Sequence, residues 1–173
     1  MKNRYILLCI LLIAPMAIIA QSKTTVALQN DYETQDFFFY NNTLRMLNQQ
    51  EDPAFDALIK DIEKLKLLIV KKTKALDYSK VVSDYKKEHF EVAMSSRIKG
   101  KNFDVYLKGD KKTEGMLVLV NDKESLMVLD IVGSIALDKV TSLYNTLDES
   151  SDIGQKIKQF TGEDEDEKED SDN

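Results

Sequence analysis

The sequence predicts an α+β domain in which an antiparallel β-meander carries amphipathic helices packed on one face of the sheet. Two observations predict this fold. Four strand-like segments between residues 92 and 132 are joined by short turns, and short turns connect antiparallel neighbours. Helical patterns stand before and after this block rather than alternating strictly with the strands, which is typical of α+β proteins.

The first half of the domain is predicted to contain a strand at 37–40, a short helix at 43–49, a longer helix from 53 and a buried strand at 67–70. Asp52 and Pro53 begin the longer helix, because Asp accepts hydrogen bonds from free N–H groups and proline is tolerated at the first helical position. The helix is recognised from apolar residues at helical spacing, namely Phe55, Leu58, Ile62 and Leu65.

The second half begins with a helix that Asp77 caps, and its inner face carries Tyr78, Val81, Val82 and Tyr85. The apolar period then changes from helical spacing to two. This change predicts strands at 92–98 and 103–107, and two apolar runs bounded by turns predict further strands at 116–120 and 126–132. A final amphipathic helix follows, carrying Leu137, Val140, Tyr144 and Leu147.

The first twenty residues have the layout of a secretory signal peptide. Lys2 and Arg4 precede an uncharged apolar stretch, and a small-residue cleavage site ends at Ala20. We therefore expect export to the periplasm or the outer cell surface, with Gln21 as the first residue. Two alternatives stay open, an uncleaved anchor and lipidation at Cys9, the only cysteine.

The remaining chain divides by composition. We expect a flexible segment at 21–35, a single domain at 36–148, a loosely docked linker or short helix at 149–162, and a disordered acidic tail at 163–173. The tail has eight acids and one lysine, whereas residues 60–112 have 15 cations and eight acids. The tail is therefore either solubilising or lies across the basic middle of the chain.

Candidate chemistry is sparse. His89 is the only histidine, and cleavage would remove the only thiol, so the sequence predicts no metal ligands, no cofactor and no catalytic residues. Ser83 with Lys86, and Ser96 with Lys99, match the S-x-x-K pattern without its companion elements. Asp130 interrupts an apolar strand, so it is either a solvent-facing residue or a buried acid with a raised pKa that acts as a general acid.

Two stretches resemble a known family: "YSKVVSDYKKEHFEVAMSSRIKGKNFDVYLKG" and "EGMLVLVNDKESLMVLDIVGSIALDKVTSL". Over residues 37–147 the chain resembles domain of unknown function family 4252. The most recognisable piece is the last strand running into Gly133, Ile135 and Leu137. The resemblance implies a small exported protein of the kind found mainly in Bacteroidetes. It implies no activity and no catalytic residues, and the acidic tail is not part of the pattern.

These observations favour a non-enzymatic protein-interaction or structural module of the cell envelope. We expect an envelope protein partner, because an open sheet with an exposed edge can bind by strand addition. Nucleic acid is not expected as a partner, and no membrane span is expected after cleavage. Two alternatives are a small-ligand or lipid binder that uses a cleft between helices and sheet, and a hydrolase that uses Ser83 and Lys86.

Overall fold

The computed structural model describes residues 22–48, 51–98, 100–109, 115–147 and Gln155. The predicted signal peptide and acidic tail lie outside these residues, as does the predicted 149–162 linker apart from Gln155. The described helices are α1 (Lys23–Asp31), α2 (Asn41–Leu47), α3 (Pro53–Ile59), α4 (Tyr78–Lys87) and α5 (Leu137–Leu147). The strands are β1 (Thr34–Tyr40), β2 (Ile62–Lys71), β3 (Glu91–Ile98), β4 (Lys101–Lys108), β5 (Gly115–Asn121) and β6 (Ser125–Gly133).

The six strands form one sheet in the order β1-β2-β6-β5-β4-β3, and every neighbouring pair is antiparallel. Strands β3 to β6 are the predicted meander. Strand β2 pairs with the free side of β6, and β1 forms the far edge. The α+β fold and the antiparallel meander are therefore confirmed.

The helices cover both faces of the sheet rather than the one face that the sequence predicts. Strand β2 shows the division, because Leu65 and Leu67 belong to one apolar core while Leu68 and Val70 belong to the other. Helices α2, α3 and α5 pack on the first core, whereas α1 and α4 pack on the second. Strand β5 also shows that both faces are covered, because its residues 115–120 are all buried.

Two of the sequence predictions about local structure are wrong. The segment 21–35, predicted to be flexible, contains helix α1 and the start of β1. Helix α3 ends at Ile59, so Ile62 and Leu65 lie in strand β2 instead of continuing the helix. The Asn41 side chain explains this ending, because its Nδ2 donates to the carbonyl oxygens of Ile59 at 3.1 Å and Ile62 at 2.9 Å.

Candidate functional site

A buried polar cluster lies where the N-terminus of α1 meets the sheet. All of the polar or charged side chains that are buried within the described ranges belong to it: Ser22, Thr24, Thr25, Lys66 and Asp130. Two residues near the C-terminal end of α4, Tyr85 and Glu88, complete the cluster. Helix α1 has a single buried apolar residue, Leu28, and hydrogen bonds from Ser22 and Thr25 to Asp130 also join this end of the helix to the sheet.

Asp130 stands at the centre of the cluster and is 5% exposed. Its Oδ2 accepts hydrogen bonds from the Ser22 backbone N–H at 3.1 Å and from Thr25 Oγ1 at 2.9 Å. Thr25 Oγ1 also lies 3.0 Å from the Tyr85 hydroxyl. Because the single Thr25 proton is directed at the carboxylate, Tyr85 is the donor in that second contact. The result is a chain of hydrogen bonds from Tyr85 through Thr25 to Asp130.

Burial raises the pKa of Asp130 above its usual value, and the charge of Glu88 acts in the same direction. The hydrogen bonds from Thr25 and Ser22 and the charge of Lys66 oppose this shift without cancelling it. Of the two sequence interpretations, the structure therefore supports the buried one, whereas a role of Asp130 as a general acid stays a prediction.

Glu88 caps helix α1 from a distant part of the chain. Its Oε2 accepts the Lys23 backbone N–H at 2.9 Å, and its Oε1 accepts the Thr24 backbone N–H at 2.7 Å. The hydroxyls of Ser22 and Thr24 also donate to Oε1, at 3.0 and 2.6 Å. Burial acts to raise the pKa of Glu88, but these hydrogen bonds outweigh it and the pKa lies below its usual value. A carboxylate at this position also interacts favourably with the positive end of the helix dipole.

Lys66 extends the cluster toward the β1 edge. It lies directly across from Asp130 in the β2–β6 register, and its Nζ donates to Gln29 Oε1. Gln29 in turn donates to Asp36 Oδ2 at 2.7 Å. The Lys66 Nζ also lies 4.7 Å from the centre of the Phe38 ring. Burial lowers the pKa of Lys66, although Asp36 and Asp130 both act to raise it.

A second feature is the edge strand β3, which among the described strands pairs with β4 and with no other. The described side chains of β3 are exposed on both faces of the sheet, except that Met94 is half-buried. Val92 is 50% exposed, and Arg97 near the other end is also exposed. An irregularity in register between Val92 and Met94 leaves Ala93 without a partner in β4.

The structure does not bring the other sequence candidates into the polar cluster. Ser83 and Lys86 are exposed on α4, and Ser96 is exposed on β3. His89 is exposed just after α4, where its φ of 68° and its backbone N–H bond to Lys86 mark the end of the helix. Among the described residues, no three His, Cys, Asp or Glu side chains are grouped closely enough to hold a metal ion.

Sequence reasoning missed Ser22, Thr24, Thr25, Glu88 and Lys66 as members of the cluster. Lys66 had a signal, because it interrupts a run of buried apolar residues in β2 as Asp130 does in β6. The other four residues lie in polar segments and carry no comparable signal.

The fold and the cluster define a three-layer α+β protein with helices on both faces of an antiparallel sheet. The family model described as Domain of unknown function (DUF4252) matches residues 32–143, and the chain belongs to this family. No curated protein and no solved structure matches the chain. Within the part of the chain that the structure describes, no helix is long and apolar enough to cross a membrane.

Proposed function

We propose that this chain is an exported, non-enzymatic interaction module of the cell envelope, and that it binds an extended segment of a partner protein along β3. The observation that carries the proposal is the exposure of β3 on both faces together with its unpaired side. A strand in this position presents a row of backbone N–H and C=O groups that can pair with another chain.

The two edges of the sheet differ in what surrounds them. Helices α1 and α2 flank β1 in sequence and pack against it. Strand β3 follows α4 through a tight turn at 88–90, and within the described part of the chain β4 is the strand that pairs with it. The irregularity at Ala93 bends one end of the edge, so Met94 to Ile98 is the stretch available for regular pairing.

The side chains of β3 indicate the chemistry of the partner segment. Val92 and Arg97 pair with Tyr106 and Asn102 of β4 and lie on the same face of the sheet. A matching strand would present an apolar residue to Val92 and an acidic residue to Arg97. Main-chain hydrogen bonds would supply affinity, and these two side chains would supply register and specificity.

Export is the second part of the proposal, and the sequence of residues 1–20 supports it. N-terminal sequencing of protein isolated from envelope fractions tests it directly. Gln21 as the first residue supports cleavage after Ala20, whereas recovery of an intact Met1 in the envelope would contradict it.

In-cell crosslinking in envelope fractions tests the binding edge with two matched variants. Val92→Lys places a charge on the exposed edge strand, whereas Val26→Lys makes the same change on α1, where Val26 is 40% exposed. A partner that is captured by the wild type and by Val26→Lys, and lost with Val92→Lys, supports the proposal. Equal capture by all three proteins would refute binding at β3.

A further inference from the structure

We infer that helix α1 is a pH-sensitive strap, which docks on the sheet most firmly in mildly acidic solution and detaches more readily when the pH rises or falls from that range. Detachment means that residues 23–31 leave the sheet while the other elements stay folded. The inference concerns α1 and the buried polar cluster, so it is independent of the proposed binding at β3.

Helix α1 depends on the rest of the domain for its stability. It has nine residues, and an isolated helix shorter than about 12–15 residues is marginal in water. Lys23 begins the helix and Asp31 ends it, so both charges are opposed to the helix dipole. Leu28 supplies its one buried apolar side chain. A helix of this kind is expected to open locally when its contacts with the sheet are weakened.

Two carboxyl groups hold the N-terminal end of α1. Glu88 accepts the backbone N–H groups of Lys23 and Thr24 at 2.9 and 2.7 Å. Asp130 accepts the Thr25 hydroxyl at 2.9 Å and is buried beneath this end of the helix. Because both acceptors can titrate, docking of α1 is coupled to their protonation.

Glu88 makes docking weaker in strong acid. Its ionised carboxylate accepts the hydrogen bonds from α1, and these bonds hold its pKa below the usual value although burial acts to raise it. The contribution of Glu88 to docking is therefore complete above the pKa of an exposed glutamate, about 4.3. It is lost as the pH falls through the lower pKa of the docked state.

Asp130 makes docking weaker as the pH rises. Docking buries its carboxyl group, and burial together with the charge of Glu88 raises the pKa of Asp130. The neutral carboxyl group is therefore the form that favours docking. This preference is complete below the pKa of an exposed aspartate, about 3.9, and is lost as the pH rises through the higher pKa of the docked state.

The other titratable groups around the two carboxyl groups do not reverse these effects. Tyr85 reaches Asp130 through Thr25, and burial raises the pKa of Tyr85, so its hydroxyl stays neutral. Lys66 lies across from Asp130 in β2, and its charge favours ionised Asp130 without cancelling the effect of burial. The Lys23 side chain is exposed. Docking is therefore strongest between the docked-state pKa values of the two carboxyl groups.

Native-state hydrogen exchange, followed by NMR, tests whether α1 opens separately. The Val26 and Tyr32 backbone N–H groups report on α1, because they donate to the carbonyl oxygens of Ser22 and Leu28 at 3.2 Å. The N–H groups of β5, which is buried on both faces, report on global unfolding. The opening constant measured in α1 is expected to exceed that in β5. Equal opening constants would overturn the inference.

Two variants of similar severity identify the contacts that open. Glu88→Gln should raise the opening constants of both α1 and β5 by about fivefold at neutral pH, because its contacts are lost in either opening. Ile59 is buried in the core on the opposite face of the sheet. Ile59→Val should raise the opening constant of β5 by about fivefold and leave that of α1 unchanged. Equal acceleration of α1 and β5 by Ile59→Val would show that α1 opens only with the whole domain.

The pH profile of the α1 opening constant, corrected for the intrinsic exchange rate, tests the two carboxyl groups. The wild-type profile should have its minimum in mildly acidic solution. Asp130→Asn should remove the rise toward neutral pH, Glu88→Gln should remove the rise in acid, and Asp138→Asn, an exposed acid on α5, should leave both. If Asp130→Asn does not fold, the wild-type minimum and the effect of Glu88→Gln decide. A profile without a minimum, or one that Glu88→Gln leaves unchanged in acid, would overturn the inference.

Discussion

Thr25→Val removes the hydroxyl that links Tyr85 to Asp130, and its effect follows from the two hydrogen bonds that it breaks. Thr25 is fully buried, and valine keeps the shape of the side chain without its donor. The bond to the Asp130 carboxylate is worth about 1.5–3 kcal/mol, and a buried Tyr85 hydroxyl left without a partner costs about 1–3 kcal/mol. Because burial of the added methyl group offsets part of this loss, we expect a decrease of about 3 kcal/mol in the free energy of unfolding.

Urea unfolding at neutral pH measures the decrease, and thermal unfolding should show a midpoint lower by about 6–12 °C for a chain of this length. Thr43→Val is the matched control, because Thr43 is exposed on α2, and its effect should stay within about 0.5 kcal/mol. A Thr25→Val protein as stable as the control would refute the hydrogen-bond chain.

The pH dependence provides a second test of the same variant. The Thr25 hydroxyl favours the ionised form of Asp130, so its loss raises the folded-state pKa of Asp130 still further. A folded-state pKa above the unfolded value means that the folded protein binds protons more tightly, and acidification through that pKa favours folding. The deficit of Thr25→Val should therefore shrink as the pH falls. If the loss of stability in Thr25→Val is constant between about pH 7 and about pH 4, the hydrogen bond from Thr25 to Asp130 is not its cause.

Three other variants test the remaining structure by urea unfolding. Gly133→Ala should lower the free energy of unfolding by more than about 2 kcal/mol, because Gly133 has φ +109° and an added Cβ would lie 2.3 Å from the Asp61 carbonyl oxygen. An unchanged urea midpoint would contradict this close approach. Leu129→Ala should lower the free energy of unfolding by about 2–5 kcal/mol, because Leu129 is buried in the core. Leu137 is 42% exposed, so Leu137→Ala should have a far smaller effect, and similar losses in the two variants would contradict the burial of Leu129. Glu88→Gln should lower the free energy of unfolding by about 1 kcal/mol at neutral pH. The folded-state pKa of Glu88 lies below the unfolded value, so this loss of stability should disappear on acidification through the folded-state pKa. A loss that persists in acid would show that the charge of Glu88 is not responsible for it.

The elements that the sequence predicted correctly have local causes. The meander follows from period-two alternation in β3 and β4, apolar runs in β5 and β6, and short turns between them. The predicted final helix is observed at Leu137–Leu147. Asp52 and Asp77 cap their helices as predicted, because they accept hydrogen bonds from backbone N–H groups that lie only two or three residues further along the chain. Each of these features involves neighbours in sequence, so a single segment contains the whole signal.

Helix α1 and the polar cluster depend on contacts between distant segments. Ser22 and Thr25 are 108 and 105 residues from Asp130, and Glu88 reaches α1 across more than 60 residues. The α1 sequence has little apolar periodicity, so residues 21–35 looked flexible when considered alone. The sequence likewise left the burial of Asp130 undecided. The Asp130 side chain is covered only if a helix packs on that face of the sheet.

The sequence by itself therefore determined the family, the α+β class, the meander and the helix that follows it. Only the tertiary structure decided that helices cover both faces, that Asp130 is buried and that β3 is the exposed edge. The physical reason is the range of the interactions. Turns, caps and apolar periodicity act over a few residues, whereas the packing of α1 and the environment of Asp130 depend on charges and hydrogen bonds that meet only after the chain has folded.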